Sequence, residues 1–517
     1  PMAATLTPPD VEIIQNTPNE VKLHVNMPAP GFLILADNYA PGWWAYRTPD
    51  GETGERSVPI LRANGTVRAV QLPAGPQTVR FKYSPTSLKV GLFVNKIIDV
   101  AFMMLALRLL GPDDAGKYYF AIVIYGWFEI LTNFGLNTLV TREVARNRGD
   151  ANRYLWNTTV LRLLLAVLAA PCLVVFLLVW QPMPRDTAVA IILFAAGLVP
   201  ASISAGLSAV FSAFEVMNLP AAVSTVTTLL KVALGTCALL LGWSFVGLAG
   251  VSVVVNSITM LILLGLLIAL FFRPHRDPQP ALRRGMLRES FPLMINHLLA
   301  TLFFKVDVLL LERLQGNAVV GWYSTSYKFV DTVGIIPPVF TMAIFPLLSR
   351  LAASARESML STYTLSIKLL VSLALLLSMV ISALAYPLVF VFGGSAYLPH
   401  SARALQVMIW FMPLGFINSL TQYMLIALDQ QRFLTRAFVI ALAFNLGANW
   451  LLIPRFGYLA AAAISIASEL ALLIPFYVGL RRYLAPVPWF DILWRPAASA
   501  AVAGGVLWLL RAGPRLP

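Results

Sequence analysis

The chain has 517 residues, of which 58% are hydrophobic and only 12% are charged. Soluble globular domains carry about 25% charged residues and about 45–50% apolar ones, which excludes an ordinary soluble enzyme. The first 86 residues contain seven basic and seven acidic residues, so the net charge of +14 falls entirely in the rest of the chain. There the basic residues are spread over short loops. This distribution indicates a positive-inside surplus or a path for an anionic substrate, and not nucleic-acid binding.

Residues 1–86 differ in texture from the remainder and predict a small all-β sandwich domain. Short runs of alternating apolar and polar residues are separated by turns such as Pro-Ala-Gly-Pro at 73–76. Period-two alternation with Gly and Pro turns every 8–12 residues is typical of antiparallel sheets. We expect Trp43, Trp44 and Tyr46 to form an aromatic core, in preference to a surface that stacks on sugars.

Three stretches of this segment resemble the extracytoplasmic C-terminal module of the YfhO family of bacterial membrane proteins. They are ADNYAPGWWAY (36–46), PILRANGTVRAVQLPAG (59–75) and VRFKYSPTSLKVGL (79–92). The resemblance covers residues 9–93. That family is similar to polytopic glycosyltransferases, whose catalytic region would lie upstream, so the resemblance carries over no glycosyltransferase active site.

From Leu88 onward, the chain contains hydrophobic segments that are long enough to cross roughly 30 Å of hydrocarbon. Sixteen arginines lie in the loops that follow the even-numbered segments, and five basic residues lie in the loops between, which places the former loops in the cytoplasm. We predict thirteen such segments: 88–110, 118–140, 157–180, 187–210, 220–242, 245–272, 288–313, 319–347, 364–392, 402–428, 433–454, 456–480 and 495–511.

An internal repeat is visible at the ends of two of these segments. The sequence GPDDAGKY at 111–118 and the sequence GNAVVGWY at 316–323 share the spacing GxxxxGxY, displaced by 205 residues. A second pair, at Gly247 and Gly457, is displaced by 210 residues. A repeat of six helices returns the chain to the same side of the membrane, so the two halves are predicted to be parallel.

The repeat defines the predicted organisation of the membrane part. Residues 87–286 form a first six-helix half, residues 287–482 form a second, and residues 483–517 add another transmembrane helix, which we expect to be truncated. Transporters built from such repeats bind substrate between the halves and alternate access by rocking one half against the other.

The stretches 106–148 and 306–350, which contain the paired motifs, resemble the Wzx-type polysaccharide flippases of the MOP superfamily, over roughly residues 95–510. The resemblance implies an all-α polytopic bundle of the MATE/MOP kind, with two six-helix repeats and a thirteenth helix. It implies translocation of a polyprenyl-diphosphate-linked oligosaccharide across the bacterial cytoplasmic membrane for surface polysaccharide synthesis. It also implies a cationic central cavity, possible association with a polysaccharide polymerase and with glycosyltransferases, and function as a monomer.

Ionisable residues inside predicted membrane segments are the candidates for the transport site, because a charge there usually faces a wet cavity or a partner. Lys96 and Asp99 are three residues apart, as are Lys328 and Asp331, and either pair could instead stabilise helix packing. Lys305 and Asp307 point roughly 200° apart on one helix and cannot pair as simply. The predicted substrate-binding cations are Lys96, Lys305, Lys328 and Arg108. The acids predicted to bind a coupling proton or Na⁺ are Asp99, Asp307 and Glu129. Lys231 and His297 are further candidates.

No other cofactor, metal site or catalytic motif is predicted, so we do not expect an enzyme. Two alternatives remain open: a cation-coupled small-molecule exporter of the same superfamily, or the remnant of a membrane glycosyltransferase suggested by residues 1–86. A conflict also remains. The YfhO-like module should lie outside the cell, whereas the loop charges start the first helix in the cytoplasm. The chain is therefore expected to be a fusion, or a truncated or chimeric gene product, and the side on which residues 1–86 lie is left open.

Overall fold

The computed structural model describes residues 10–17, 20–39, 42–52, 54–64, 67–83, 86–180 and 183–512, and the side chains of 16, 17, 38, 86–97, 346, 353, 354, 501, 503, 504 and 506–512 are outside the description. The chain divides into two compact units, Pro1–Ile97 and Ile98–Pro517. The first is a β domain and the second is a helical bundle.

The β domain consists of two antiparallel sheets, as predicted. The five-stranded sheet has the order β1-β2-β8-β4-β5 and the three-stranded sheet has the order β3-β7-β6. The strands are β1 (Asp10–Thr17), β2 (Glu20–Met27), β3 (Gly31–Asn38), β4 (Trp43–Pro49), β5 (Arg56–Val58), β6 (Ile60–Ala63), β7 (Val67–Leu72) and β8 (Gly75–Tyr83).

Alternation along the strands places one apolar face of each sheet in the core between them. Val25 on β2 and Val79 on β8 are fully buried, and Val70 on β7 faces them from the other sheet. The prediction of an aromatic core is wrong for Trp44, which is 48% exposed, and for Tyr46, which lies on the same face of β4 beneath Arg80 and outside this core. Successive residues of a strand point to opposite faces, so Trp43 and Trp44 cannot both face inward.

The bundle is made of sixteen helices in the described part of the chain, most of them apolar on all sides. They are α1 (Thr86–Asn133), α2 (Leu136–Arg146), α3 (Ala151–Val179), α4 (Arg185–Ala213), α5 (Asn218–Leu240), α6 (Ser244–Leu270), α7 (Pro280–Gln315), α8 (Asn317–Val333), α9 (Ile336–Ser354), α10 (Arg356–Ala383), α11 (Ala385–Gly393), α12 (His400–Met408), α13 (Met412–Ala427), α14 (Gln431–Phe456), α15 (Tyr458–Tyr483) and α16 (Trp489–Ala512).

Within the described residues, eleven helical stretches are long and apolar enough to cross a membrane. The first of them, Ile98–Arg146, contains residues 98–110 of the first predicted segment and all of the second, because α1 continues through a break at Gly111. The predicted thirteenth segment forms α16, which is not among the eleven. The chain is therefore a multi-pass membrane protein with a small N-terminal β domain, which confirms the predicted fold class.

Helices of each predicted half pack mainly on one another. In the first half, α4 packs against α6 and α3, and α5 packs against α6. In the second half, α14 packs against α15 and α7, and α10 packs against α13. Two of the charged residues singled out in the sequence, Lys305 and Lys328, lie at the interface between these two groups of helices.

Candidate functional site

Two glycine turns, 205 residues apart, have the same backbone conformation. Gly111 within α1 has φ 70° and ψ 176°, and Gly316 between α7 and α8 has φ 86° and ψ 175°. A positive φ of this kind is readily adopted only by glycine, so each turn requires that residue. Each turn redirects the chain from one membrane helix into the next.

The second glycine of each motif packs against the backbone of the other motif. A methyl group added at Gly116 would lie 1.9 Å from the carbonyl oxygen of Asn317, and one added at Gly321 would lie 1.9 Å from the carbonyl oxygen of Pro112. The contact is reciprocal, since residues 112 and 317 are themselves 205 apart. Such an exchange of equal contacts is what a two-fold relation between the repeats requires.

Further contacts join the two halves at the same end of the bundle, which the loop charges assign to the exterior. The indole Nε1 of Trp180 donates a hydrogen bond to Glu312 Oε2 at 2.7 Å. The guanidinium group of Arg108 donates to the carbonyl oxygen of Val391 at 2.8 Å. Close backbone contact and these hydrogen bonds together close this end of the interface.

Beside the shared glycines, the two turns are held by different chemistry. Lys117 in the first motif lies 3.0 Å from carboxylate oxygens of both Asp113 and Asp186. The equivalent residue of the second motif is Trp322, whose ring stacks on that of His400 with 3.9 Å between the ring centroids. An ionic cluster in one half thus corresponds to an aromatic stack in the other.

The halves also touch at the opposite end, which the loop charges assign to the cytoplasm. Phe134 and Gly135 have φ values of 49° and 74° and separate α1 from α2. Phe134 packs against Phe291 on α7, with ring centroids 6.2 Å apart. Arg142 on α2 lies 2.8 Å from Glu289 on α7. Helix α7 is therefore in contact with the first half at both of its ends.

Lys305 lies on α7 between these two contact regions and reaches the first half. Its ammonium group donates a hydrogen bond of 2.9 Å to the hydroxyl of Tyr119 on α1. It also lies 3.4 Å from each carboxylate oxygen of Asp331 on α8, and 3.7 Å from the ring centroid of Tyr327. The amine is thus held by one carboxylate, one phenol and one aromatic face.

Lys328 on α8 adds a second cation to this group. Its ammonium nitrogen lies 4.9 Å from the ring centroid of Tyr119. In the part of the chain that the structure describes, Lys328 forms no salt bridge. The charges of Lys305, of Asp331 and of Lys231 on α5 all act on it. We call Lys305 and Lys328, with Asp331, the cation cluster, and Lys231 is exposed on α5 outside it. It holds two positive charges and one negative charge.

Asp307 points away from the cation cluster into the second half. Its side chain is 4% exposed, accepts a hydrogen bond from the hydroxyl of Tyr323, and accepts another from the backbone N–H of Val308 at 2.9 Å. The Tyr323 hydroxyl lies 3.3 Å from the hydroxyl of Ser465 on α15. The predicted separation of Lys305 and Asp307 agrees with this geometry, since each side chain has its own set of partners.

A second buried carboxylate, Glu469 on α15, faces the same small cavity as Asp307. Glu469 is 2% exposed and accepts a hydrogen bond of 2.7 Å from Asn418. The cavity has a volume of about 10 Å³, and Asn445 and Ser468 also line it. A volume of this size holds a single water molecule. We call this oxygen-lined space the acidic cavity.

The other predicted residues lie apart from both sites. Asp99 and Arg108 are exposed on α1. Glu129 is half-buried and lies 3.5 Å from the amide of Asn133. The side chain of Lys96 is outside the described residues, so its predicted role and its pairing with Asp99 stay predictions. Among the described residues, no group of three or more His, Cys, Asp and Glu side chains is placed to hold a metal ion.

Sequence reasoning did not single out Arg162 on α3 or Glu469. Arg162 is 1% exposed and donates hydrogen bonds to the side-chain oxygens of Asn133 and Asn137 and to the backbone carbonyl of Ser202. No carboxylate forms a salt bridge with it in the described part of the chain. Asn133 and Asn137 flank the break between α1 and α2, so Arg162 fixes that break against α4. The sequence signal that could have identified Arg162 is a single arginine within an apolar segment.

The fold is that of the transporters and flippases of the MOP superfamily. An inward-facing multidrug resistance MATE family transporter of that superfamily matches with a TM-score of 0.64 at 15% identity, over 75% of this chain and 94% of that one. The lipid II flippase MurJ in an inward closed conformation matches with a TM-score of 0.63 at 13% identity, over 83% and 93%. A MOP superfamily transporter from Pyrococcus furiosus matches with a TM-score of 0.52 at 14% identity, over 81% of this chain and 94% of that one.

The chain belongs to the polysaccharide biosynthesis protein family, whose model matches residues 86–352. The MatE family model matches residues 292–451. Neither match extends into residues 1–85. No curated protein matches the chain.

Proposed function

We propose that the chain is a flippase that moves a polyprenyl-diphosphate-linked oligosaccharide across the bacterial cytoplasmic membrane for surface polysaccharide synthesis. The cation cluster carries the proposal, because it places two cations and one carboxylate beside Tyr119 of the first half. A diphosphate needs fixed cations to replace its water, and charge-assisted hydrogen bonds from lysine supply them. Membership of the polysaccharide biosynthesis family supports the same substrate class.

The arrangement of the cluster relates substrate binding to movement of the halves. Lys305 contacts Tyr119 of the first half and Asp331 of the second. A diphosphate bound by Lys305 would replace Asp331 of the second half as the anionic partner, so the anion would bind directly to the lysine that contacts the first half. We include Lys96 and Arg108 as further cations along the route, in line with their prediction from the sequence.

The acidic cavity is the proposed site for a coupling ion, either a proton or Na⁺. Asp307 and Glu469 are both nearly fully buried, and their pairing in one small space favours neutralisation by a bound cation. Asp99 and Glu129 remain alternative coupling acids. No further cofactor is needed for this activity.

Complementation of a host that lacks its own oligosaccharide flippase tests the proposal. Replacement of Lys305 or Lys328 with Met is expected to abolish surface polysaccharide, whereas Lys305→Arg, which retains the charge, is expected to keep part of it. Arg432→Ala is the matched control, because Arg432 is basic and exposed but lies outside the cluster. Undiminished polysaccharide in a well-expressed Lys305→Met, Lys328→Met double variant would refute the proposal.

Binding to the purified protein separates a substrate role from a packing role. The probes are a polyprenyl diphosphate and the corresponding polyprenol, which differ only in the charged group. Tighter binding of the diphosphate that disappears in the double lysine variant is expected. Equal binding of both probes would mean that the lysines only stabilise the helices.

A cation-coupled small-molecule exporter is the second candidate. The MatE family model matches residues 292–451, and the acidic cavity lies in the second half, close to the same region. An exporter would confer drug resistance that depends on Asp307 and Glu469 and would leave the polysaccharide of the host unchanged. A flippase would give the opposite pair of results.

The remaining parts of the proposal concern assembly and location. A monomer suffices, because both halves of the route belong to one chain, and a polysaccharide polymerase and glycosyltransferases are the proposed partners. The β domain is proposed to be a YfhO-type module joined to the flippase. Protease access to residues 1–83 in intact cells and in broken cells would decide on which side of the membrane the domain lies.

A further inference from the structure

A groove between α10 and α16 is separate from the cation cluster and from the acidic cavity. It encloses about 480 Å³, within the range of ordinary ligand pockets. Three charged side chains line it, Lys368 from α10 and Asp491 and Arg495 from α16. The apolar residues Leu375, Leu376 and Met379 of α10 continue the lining.

The charged side chains of the groove lack ionic partners within the chain. Over the described residues, neither Lys368 nor Arg495 forms a salt bridge, and Asp491 forms none either. Arg495 instead lies over the ring of Trp494, 5.2 Å from its centroid. Charges on the side of a membrane bundle are unfavourable unless a partner meets them, so two cations in one groove indicate an anionic ligand.

The position of the groove along the membrane fits the headgroup layer. Helix α16 begins at Trp489, followed by Phe490, which is 79% exposed, and aromatic residues are enriched at this depth. Asp491 and Arg495 lie roughly 3 Å and 9 Å from that start along the helix. The loop charges assign this end of α16 to the cytoplasmic side.

The groove changes from polar to apolar with increasing depth. Helix α10 runs from the cytoplasmic side outward, so Leu375 and Met379 lie roughly 10 Å and 16 Å deeper than Lys368. A phospholipid has the same order of groups, with a phosphate at the interface and acyl chains beneath it. Basic pockets between membrane helices on the cytoplasmic side are known to hold lipid headgroups.

We propose that this groove binds a glycerophospholipid of the cytoplasmic leaflet. Lys368 and Arg495 bind its phosphate, and Asp491 accepts a hydrogen bond from an ammonium or hydroxyl group of the headgroup. One acyl chain lies along Leu375, Leu376 and Met379. The site is distinct from the proposed transport route and would secure α16 to the second half.

The test uses the delipidated full chain in detergent and native mass spectrometry of bound lipid. Phosphatidylethanolamine, phosphatidylglycerol and phosphatidylcholine with identical acyl chains are the probes. The first two are expected to bind at least about tenfold more tightly than the third, which has no headgroup donor for Asp491. Equal binding of all three would overturn the role of Asp491.

Variants test the charged residues separately from the fold. Lys368→Ala with Arg495→Ala is expected to weaken binding of both favoured lipids by about tenfold or more, while Lys368→Arg retains it. The matched control is Arg432→Ala with Arg436→Ala, which removes two exposed cations assigned to the same side. Unchanged binding in the groove variant, or an equal loss in the control, would overturn the proposal.

A polyprenyl diphosphate is the competing occupant, since it offers the same phosphate chemistry. It is added at equal concentration to the phospholipid-loaded protein. Retention of the phospholipid is expected. Complete displacement that depends on Lys368 and Arg495 would assign the groove to the polyprenyl lipid and overturn the phospholipid proposal.

Discussion

The reciprocal contact of Gly116 and Gly321 predicts how the bundle responds to one added methyl group. In Gly116→Ala, the new Cβ would lie 1.9 Å from the carbonyl oxygen of Asn317 and 2.9 Å from the backbone nitrogen of Gly321. Contacts under 3.0 Å essentially do not occur, so the distance to the oxygen must grow by more than 1 Å. The obstructing atoms are backbone, so no side-chain rotation relieves the clash. The two halves must separate at this end.

The free-energy cost of separating the two halves at this end can be estimated. Forcing an extra methyl group into a packed site costs about 1–3 kcal/mol. A difference of that size between two states changes their ratio by about 5- to 150-fold. Gly116→Ala and Gly321→Ala are both expected to depopulate the state closed at this end. Since one displacement relieves both clashes, the double variant should cost less than the sum of the two single variants.

Cross-linking of two introduced cysteines with a short bifunctional thiol reagent measures the closed population. Trp180→Cys and Glu312→Cys introduce two thiols at a place where the ends of the long native side chains lie 2.7 Å apart, so a short bifunctional reagent can span the space that those side chains fill. Cys172 and Cys237 are exposed and are first replaced with Ser. The rate of cross-linking should fall in both alanine variants by the ratio given above, while protein recovered by size exclusion stays comparable.

Gly126→Ala is the control, because a methyl group at Gly126 of the same helix meets no atom within 4 Å. The reasoning is refuted if Gly116→Ala and Gly126→Ala cross-link at the same rate. It is also refuted if the two costs add fully in the double variant, because independent clashes would then be the cause.

Three further predictions concern the sites. Arg162→Met removes three hydrogen bonds that a charged donor makes to two half-buried asparagine side chains and to the Ser202 carbonyl, at about 1–3 kcal/mol each, and should lower the thermal unfolding temperature in detergent, with Arg162→Lys in between. Tyr119→Phe removes the 2.9 Å hydrogen bond to Lys305, keeps the ring, and should weaken binding of a polyprenyl diphosphate by about tenfold, measured by titration. Asp307→Asn with Glu469→Gln should make transport in vesicles insensitive to an imposed proton or Na⁺ gradient.

Each of these predictions has a matched control. Arg432→Met removes an exposed arginine and should leave the unfolding temperature unchanged, and an equal decrease in both arginine variants would contradict the buried role of Arg162. Tyr118→Phe removes a hydroxyl one residue away from the cluster, and an equal loss of binding there would contradict a specific contact at Tyr119. Persistent gradient dependence in the doubly neutralised variant would remove the acidic cavity from coupling.

The fold class was accessible from the sequence because its signals are local. Long apolar segments, alternating strands and the paired glycine motifs each depend on a few neighbouring residues. Which strand residues are buried was harder to predict from the sequence. Trp43 and Trp44 are equally apolar, and only their position in the strand decides which of them faces the core.

The site was only partly accessible, because its contacts join distant helices. Lys305 and Lys328 could be picked out as charges inside apolar segments, but the partner of Lys305 is Asp331 and not its near neighbour Asp307. Arg162 lies in a segment that follows a basic loop, so charge counting treats it as part of the positive-inside surplus. Its burial depends on oxygens from α1, α2 and α4, whose proximity no local pattern encodes.

The reciprocal contacts between the two glycine turns also explain which positions of the internal repeat are still similar in sequence. Each of the two glycines packs against the backbone of the opposite motif, so a substitution at one glycine also disturbs the packing of the other. Neighbouring positions carry no such mutual dependence, and there Lys117 and Trp322 now serve unrelated local structures. Recombining the halves of such proteins would therefore demand compatibility at the two turns first.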